Sequence, residues 1–172
     1  MEIYRVTKES PEWQKKAYDY VRMDAFVLGQ NIPVEMEFSH DDPDEEYLAI
    51  IIVDDHKPVA GCRLQFPQRD GKVYGKIGRV CVTREKQKSG YGKVLLQESE
   101  KWISEKGIHH IVINSQDRAE AFYLKNGYVE NPDVDPGYYE KFEGEFVPKT
   151  AEEKRLQKEK IGFTCVLVEK EI

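Results

Sequence analysis

Cysteine is scarce in this chain: Cys62, Cys81 and Cys165 are the only three, far apart and without metal-ligand spacing. So sparse and odd a set excludes a disulfide framework and reads as reduced thiols, hence a cytoplasmic address. Long apolar runs are missing as well. The longest, such as Ala49 to Val53 and Ile111 to Ile113, suit strands, whereas a bilayer span needs about 18 apolar residues or more. Met1-Glu2-Ile3-Tyr4-Arg5 lacks a basic stretch followed by an apolar one, so no signal peptide and no membrane partner are expected. Nor is there an excess of basic residues. The 26 Lys and Arg are outnumbered by 32 Asp and Glu, for a net charge of −6, which argues against a nucleic-acid partner and suits a cationic one. Two nucleotide motifs are absent. No Gly-x-x-x-x-Gly-Lys-Ser/Thr loop occurs, and Leu95 stands where a dinucleotide loop needs its third glycine.

What is present is enough for one domain. The 172 residues, 40% hydrophobic and 34% charged, have an ordinary globular balance. Glu2 to Val6 reads as a strand. Ser10-Pro11 opens a helix with a capping serine and a first-turn proline, and Trp13, Ala17, Tyr20, Val21 and Leu28 give it an apolar face. Gly29 to Glu46 reads as irregular, with one helical turn. Tyr47 to Val53, Val59 to Phe66 and Val73 to Val82 form an antiparallel meander, with Asp70-Gly71 marking a hairpin turn. A helix from Gly92 to Lys106 stops at Gly107, and the strand Ile108 to Asn114 that follows it must run parallel to the strand before it. A helix from Asp117 to Lys125 stops at Asn126-Gly127. Thr150-Ala151-Glu152-Glu153 has capping-box spacing and opens a charged helix to Lys160. Phe163 to Glu169 alternates as a last strand.

Gln87-Lys88-Ser89-Gly90-Tyr91-Gly92 joins a strand to a helix N-terminus. Glycines there let the backbone approach a ligand, and the unpaired amides and helix dipole favour an anion. Lys88 and Lys93 add positive charge, so a pyrophosphate fits. Taken alone, the two glycines are equally consistent with a turn that holds no ligand.

Val80-Cys81-Val82 followed by Gln87-x-x-Gly90-x-Gly92 resembles the acetyl-CoA signature of the GNAT acetyltransferases. Ala121-Phe122-Tyr123-Leu124-Lys125-Asn126-Gly127-Tyr128 resembles their second signature, at the right distance. Phe26-Val27, Gln30, Pro33, Glu35, Glu37, Asp41 and Asn114-x-Gln116 are similar to the ElaA/YjcF-like branch. The resemblance implies a single 1–172 domain of α+β class. Its central, mostly antiparallel sheet would be splayed between two parallel strands and flanked by helices. It implies acetyl-CoA as co-substrate, an amine as acceptor, no metal, and a homodimer as an assembly in keeping with the family. Val80, Cys81 and Val82 would pair through their backbones with the pantetheine arm. Gln87, Lys88, Ser89, Gly90, Tyr91, Gly92 and Lys93 would hold the diphosphate. Asn114 would meet the pantetheine, and Tyr123 would contact the thioester sulfur and protonate the departing thiolate.

The base that frees the amine is not fixed by the resemblance. Relatives use a strand glutamate where Lys76 and Gly78 stand here; Glu37, His40, Tyr74 or a chain of water remain as alternatives. Arg79 reads as a salt-bridge partner, Cys81 as a small buried residue, and His109 and His110 as strand residues rather than metal ligands. Residues 131–160 depart from the branch as an insertion. It carries Tyr138, Tyr139, Phe142 and Phe146 among Asp133, Asp135, Glu140, Glu143 and Glu145, either lining an acceptor site or forming a solvated loop. The missing strand carboxylate leaves open a second reading, an acyl-CoA-binding module that acts through a protein partner.

Overall fold

A computed structural model describes residues 1–39, 41–140 and 150–172; His40, Phe142, Glu143, Glu145 and Phe146 lie outside the described residues. In chain order the strands are β1 (Glu2–Val6), β2 (Ala49–Asp54), β3 (Lys57–Gln65), β4 (Gln68–Arg69), β5 (Lys72–Val73), β6 (Gly75–Val82), β7 (His110–Gln116), β8 (Val129–Glu130) and β9 (Cys165–Glu171). The helices are α1 (Glu12–Arg22), α2 (Val34–Phe38), α3 (Tyr91–Glu105), α4 (Glu120–Lys125) and α5 (Ala151–Ile161). Among the described residues seven strands form one sheet in the order β1-β2-β3-β6-β7-β9-β8, and β4 and β5 form a separate hairpin. The pairs β1–β2, β2–β3, β7–β9 and β8–β9 are antiparallel, and β6 and β7 form a parallel ladder that joins Gly75 to Ile111 and Lys76 to Val112. The fold is thus the mixed α/β class that the sequence predicts. No described helix is long and apolar enough to cross a membrane.

The chain divides into two compact units: Met1–Gln65 with Gly78–Trp102, and Phe66–Ile77 with Ile103–Ile172. In the first unit Ala49 to Ile52 is buried at every position, because helices cover both sheet faces. Neighbouring strand positions show this directly. Gly61, paired with Ile51, leaves room for the Tyr18 ring of α1, which a Cβ there would meet at 2.9 Å. Cys62, paired with Ile50, turns the other way, and its Sγ lies 3.3 Å from Ser99 Oγ of α3.

Helix α1 differs from the sequence reading in two respects. Pro11 is its N-cap, while Ser10 Oγ accepts from the Thr7 amide at 2.9 Å instead of capping. The buried face is Gln14, Ala17, Tyr18, Val21 and Arg22, whereas Trp13, Tyr20 and Leu28 are 48%, 56% and 56% exposed. Tyr18 settles the rotation by filling the space over Gly61, and Arg22 is tolerated inside because carboxylates meet it. The helix continues through a π-helical segment, Met23–Leu28, a form that occurs mostly as short insertions at functional places.

In the second unit β7 and β9 pair from His110↔Glu171 to Gln116↔Cys165, and β8 adds to β9. The short strand β8 was not legible in the sequence. Ile103 lies over Gly75, where a Cβ would come within 2.6 Å of its Cγ2. Helix α4 is preceded by a 3₁₀ turn, Asp117–Ala119, and both helix stops hold: Gly107 and Gly127 have φ of 78° and 89°. The capping box of α5 is complete, with Thr150 Oγ1 accepting from the Glu153 amide at 3.1 Å and the Glu153 side chain accepting from the Thr150 amide. Thr150→Ala is expected to cost α5 about 1 kcal/mol, read as roughly fivefold faster amide exchange in its first turn; unchanged exchange there would mean that the box does not hold the helix start.

Candidate functional site

The strand-to-helix connection is built on an unusual backbone. Arg79, in the middle of β6, has φ 52°, a left-handed conformation that a non-glycine residue adopts only when its surroundings enforce it. Val80 and Val82 after this kink are half-buried. Cys81 between them is buried, its Sγ donating to the Gly61 carbonyl at 3.4 Å. Burial pushes the Cys81 thiol far above the usual range, so it is a packing residue and not a nucleophile. Beyond β6 the Thr83 amide donates to the Val59 carbonyl at 2.9 Å, and a 3₁₀ turn, Arg84–Lys86, leads on. Arg84 ties this turn to the π-helical segment, with its amide donating to Asp24 Oδ2 at 2.8 Å and its guanidinium 3.1 Å from Oδ1.

Gln87, Lys88, Ser89 and Gly90 are exposed, Tyr91 and Gly92 are half-buried, and Lys93 is exposed. Lys88 and Gly90 both have positive φ, 62° and 88°, and nothing stands within 4 Å of where a Gly90 Cβ would be. Helix α3 starts at Tyr91, whose hydroxyl donates to Asp54 Oδ2, pinning the first turn to the β2–β3 hairpin. The first amides of such a helix have no intrahelical acceptor. The turn therefore offers open space, free helix amides and two ammonium groups to an anion.

A buried charge network lies behind the kink, and it is the part of the site that sequence reasoning missed. Arg22 Nε donates to Glu37 Oε1 at 2.9 Å and its Nη2 to the Glu37 carbonyl at 2.9 Å; Nη1 and Nη2 reach the two Asp41 oxygens at 2.8 and 3.0 Å. Arg79 Nε is 3.2 Å from the same Glu37 oxygen, an ion pair without hydrogen-bond alignment. Arg63 Nη1 donates to Asp41 at 2.9 Å. Burial works against the Asp41 charge, but the Arg22 hydrogen bond and nearby guanidinium groups more than offset it and hold the carboxyl below its usual range. The salt-bridge reading of Arg79 thus holds. Glu37, one of the candidate bases, is clamped between guanidinium groups and does not face solvent; Glu35 is exposed. The signal available in the sequence was Arg22 itself, a charge four residues after Tyr18 on one helix face.

Asn114 and Tyr123 lie in the second unit. Tyr123 is buried on α4, with Phe122 and Tyr128 edge-on at 5.1 and 6.0 Å between ring centroids. Asn114 Nδ2 donates to Glu140 Oε1 at 3.2 Å, and Asn114 Oδ1 is buried without a hydrogen-bond partner. Lys76 is buried and donates to Glu140 Oε2 at 2.9 Å. Tyr74, another candidate base, packs against Tyr139 and His110 at 4.8 and 4.9 Å. His110 sits between Glu169 and Glu171 at 3.2 and 2.8 Å, and His109 is exposed.

A model of the acetyltransferase (GNAT) family matches residues 2–128. The chain is 34% identical over 123 residues to the uncharacterized N-acetyltransferase YjcF of Bacillus subtilis, a match spanning 72% of this chain and 83% of YjcF. Among solved structures, ElaA of Escherichia coli superposes with a TM-score of 0.68 at 19% identity, covering 99% of both chains. An acyl-CoA N-acyltransferase from Pseudomonas aeruginosa does so with a TM-score of 0.69 at 16% identity, again over 99% of each. At these identities the two structures speak for the fold alone.

Proposed function

The chain belongs to the acetyltransferase (GNAT) family, and from that premise we propose that it transfers an acetyl group from acetyl-CoA to a primary amine. The observation that carries the reading is the exposed turn from Gln87 to Gly90, which leads into α3 with positive φ at Lys88 and Gly90 and leaves room above Gly90. Its amides, with Lys88 and Lys93, would hold the diphosphate, and the backbone of Val80, Cys81 and Val82 would pair with the pantetheine amides. Asn114 is assigned to the same co-substrate by resemblance. Residues 1–172 are read as one domain, with 131–160 inserted before the last strand.

The reaction needs little from the side chains. The neutral amine nitrogen attacks the thioester carbonyl carbon and forms the C–N bond; the carbonyl oxygen gains charge that a backbone N–H at Val80 to Val82 would stabilise; the nitrogen gives its surplus proton to water, and the C–S bond breaks as the carbonyl re-forms. The departing thiolate takes a proton from Tyr123. A phenol has an ordinary pKa of about 10, close enough to a thiol to serve when held at the sulfur. Tyr123→Phe keeps the ring in its packing and is expected to lower turnover about a hundredfold while leaving CoA affinity within about twofold; equal losses in both would show a packing role instead.

The test of the reading is thiol release from acetyl-CoA across a panel of primary amines. A second reading, an acyl-CoA-binding module without turnover, is favoured by Lys76, which occupies a strand position where relatives carry the base. CoA binding without thiol release for any amine would decide for the module.

A further inference from the structure

Arginine is a strained choice at position 79. Its φ of 52° is one that glycine adopts freely and a side chain resists, so the kink in β6 by itself would be better served by glycine. What arginine adds is its guanidinium, and that group is poorly matched inside the protein. Among the described residues it has one ion pair, to Glu37 Oε1 at 3.2 Å and without hydrogen-bond alignment, and its Nε is buried without a hydrogen-bond partner. Nη1 and Nη2 make no hydrogen bond among the described residues either, and the side chain is 33% exposed.

The charges behind it do not balance. Arg22, Arg63 and Arg79 share the carboxylates of Glu37 and Asp41. Arg22 donates to both carboxylates and Arg63 donates to Asp41, so each is already engaged before Arg79 reaches it. Asp19 is exposed and lies 3.6 Å from Arg22 Nη1, where it pairs with that arginine and not with Arg79. Arg63 Nε is buried without an acceptor as well. The cluster is short of acceptors, and its surplus positive charge sits at Arg79, the member most open to solvent. Hydration would be the plain explanation for a surface arginine, but water gives no reason to hold a non-glycine residue in a left-handed conformation. The two Nη groups form the end of the guanidinium fork, whose parallel N–H groups match the two oxygens of a carboxylate, and a single surplus charge suits a monoanion.

We propose that Arg79 receives a carboxylate of the acceptor, which makes the acceptor an amine that also carries an acid group, either a free amino acid or the C-terminus of a peptide. Arg79 directly precedes Val80, whose backbone is read as holding the thioester arm. The proposal therefore rests on the acetyl-CoA reading for the role of acceptor, but not for the binding of the acid. Glu37 is the positioning residue that holds the guanidinium from its inner side.

The test titrates 6-aminohexanoate into isotopically labelled protein and follows the Nε–H signal of Arg79, identified by its loss in Arg79→Lys. The control, 6-aminohexanol, keeps the amine and lacks the acid. The acid is expected to shift the signal and the alcohol to leave it unmoved. Calorimetric titration then compares variants. Arg79→Gly suits the backbone at this position and is expected to fold, yet to raise the dissociation constant for 6-aminohexanoate about tenfold or more. Arg79→Lys keeps the charge without the fork and is expected to fall between parent and glycine variant. Gly-Gly-Lys and its C-terminal amide separate the two sources: both outcomes require binding of an acid, and the tighter of Gly-Gly-Lys and 6-aminohexanoate tells peptide from free amino acid. Equal shifts from acid and alcohol, or a dissociation constant within twofold of the parent in Arg79→Gly, would overturn the proposal. Acid binding without thiol release keeps the Arg79 site and ends the transferase reading. Thiol release with a KM for 6-aminohexanoate within twofold of the parent in Arg79→Gly ends the site and keeps the transferase.

Discussion

Replacing Glu37 by alanine is expected to destabilise the protein by about 3–5 kcal/mol, the cost of leaving a buried charge without its partner. The side chains of Arg22 and Glu37 are 2% and 3% exposed, so water cannot take over from the missing carboxylate. Arg22 keeps Asp41, but its Nε loses the Glu37 oxygen, and Arg79 loses the carboxylate facing it. Two guanidinium groups then approach each other in a low-dielectric setting, which Coulomb's law penalises steeply. Glu37→Gln retains an acceptor oxygen without the charge and is expected to fall between parent and alanine variant. Urea unfolding of the three proteins measures the series. A loss under 1 kcal/mol for Glu37→Ala would show that Asp41 alone neutralises Arg22 and that Glu37 is dispensable to the unit. Glu37 is also turned away from solvent, with Arg22 and Arg79 both on its Oε1.

Gly90→Glu is expected to abolish CoA binding, with at least a thousandfold loss of affinity by calorimetric titration. Nothing stands within 4 Å of a Cβ at Gly90, so the new side chain starts into open space and the main effect is expected on the ligand. A carboxylate would stand where the diphosphate is expected, and repulsion between like charges beside a helix N-terminus replaces attraction. A further 1–2 kcal/mol comes from placing a Cβ at φ 88°. Gly90→Ala separates the two causes, because it carries the backbone strain without the charge and is expected to weaken CoA by no more than about tenfold. Micromolar CoA affinity in Gly90→Glu would remove the turn from the binding site and with it the central support for the acyl-CoA reading.

Much of the turn before α3 was legible in the sequence because its backbone chemistry is local. Gln87 to Gly92 needs glycine for its backbone and lysine for its charge, and both are written in consecutive positions. The capping box at Thr150 is of the same kind, a donor and an acceptor three residues apart that require no other part of the chain. The strands around Ile50 and Ile111 were readable because a strand buried on both faces has to be continuously apolar.

Helix α1 shows where such reading stops. Apolar spacing establishes that Glu12 to Arg22 has an inner face, but the rotation of that face is chosen by what it packs on. The void over Gly61 drew in Tyr18, the carboxylates of Glu37 and Asp41 admitted Arg22, and Trp13 and Tyr20 were left outside. Glu140 is the stronger case. It lies 64 residues from Lys76 in the chain, within a segment whose composition predicts no regular element, and only folding sets it against the strand position that lacks a carboxylate.

Local order along the chain therefore determined by itself most of the strands and helices, the glycine-bearing turn before α3, the capping box of α5 and the helix stops at Gly107 and Gly127, since each depends on residues a few positions apart. The tertiary structure alone decided which charges are buried together, because burying a charge is tolerable only where a partner from elsewhere in the chain compensates its lost hydration, and no short-range pattern records which partner that is.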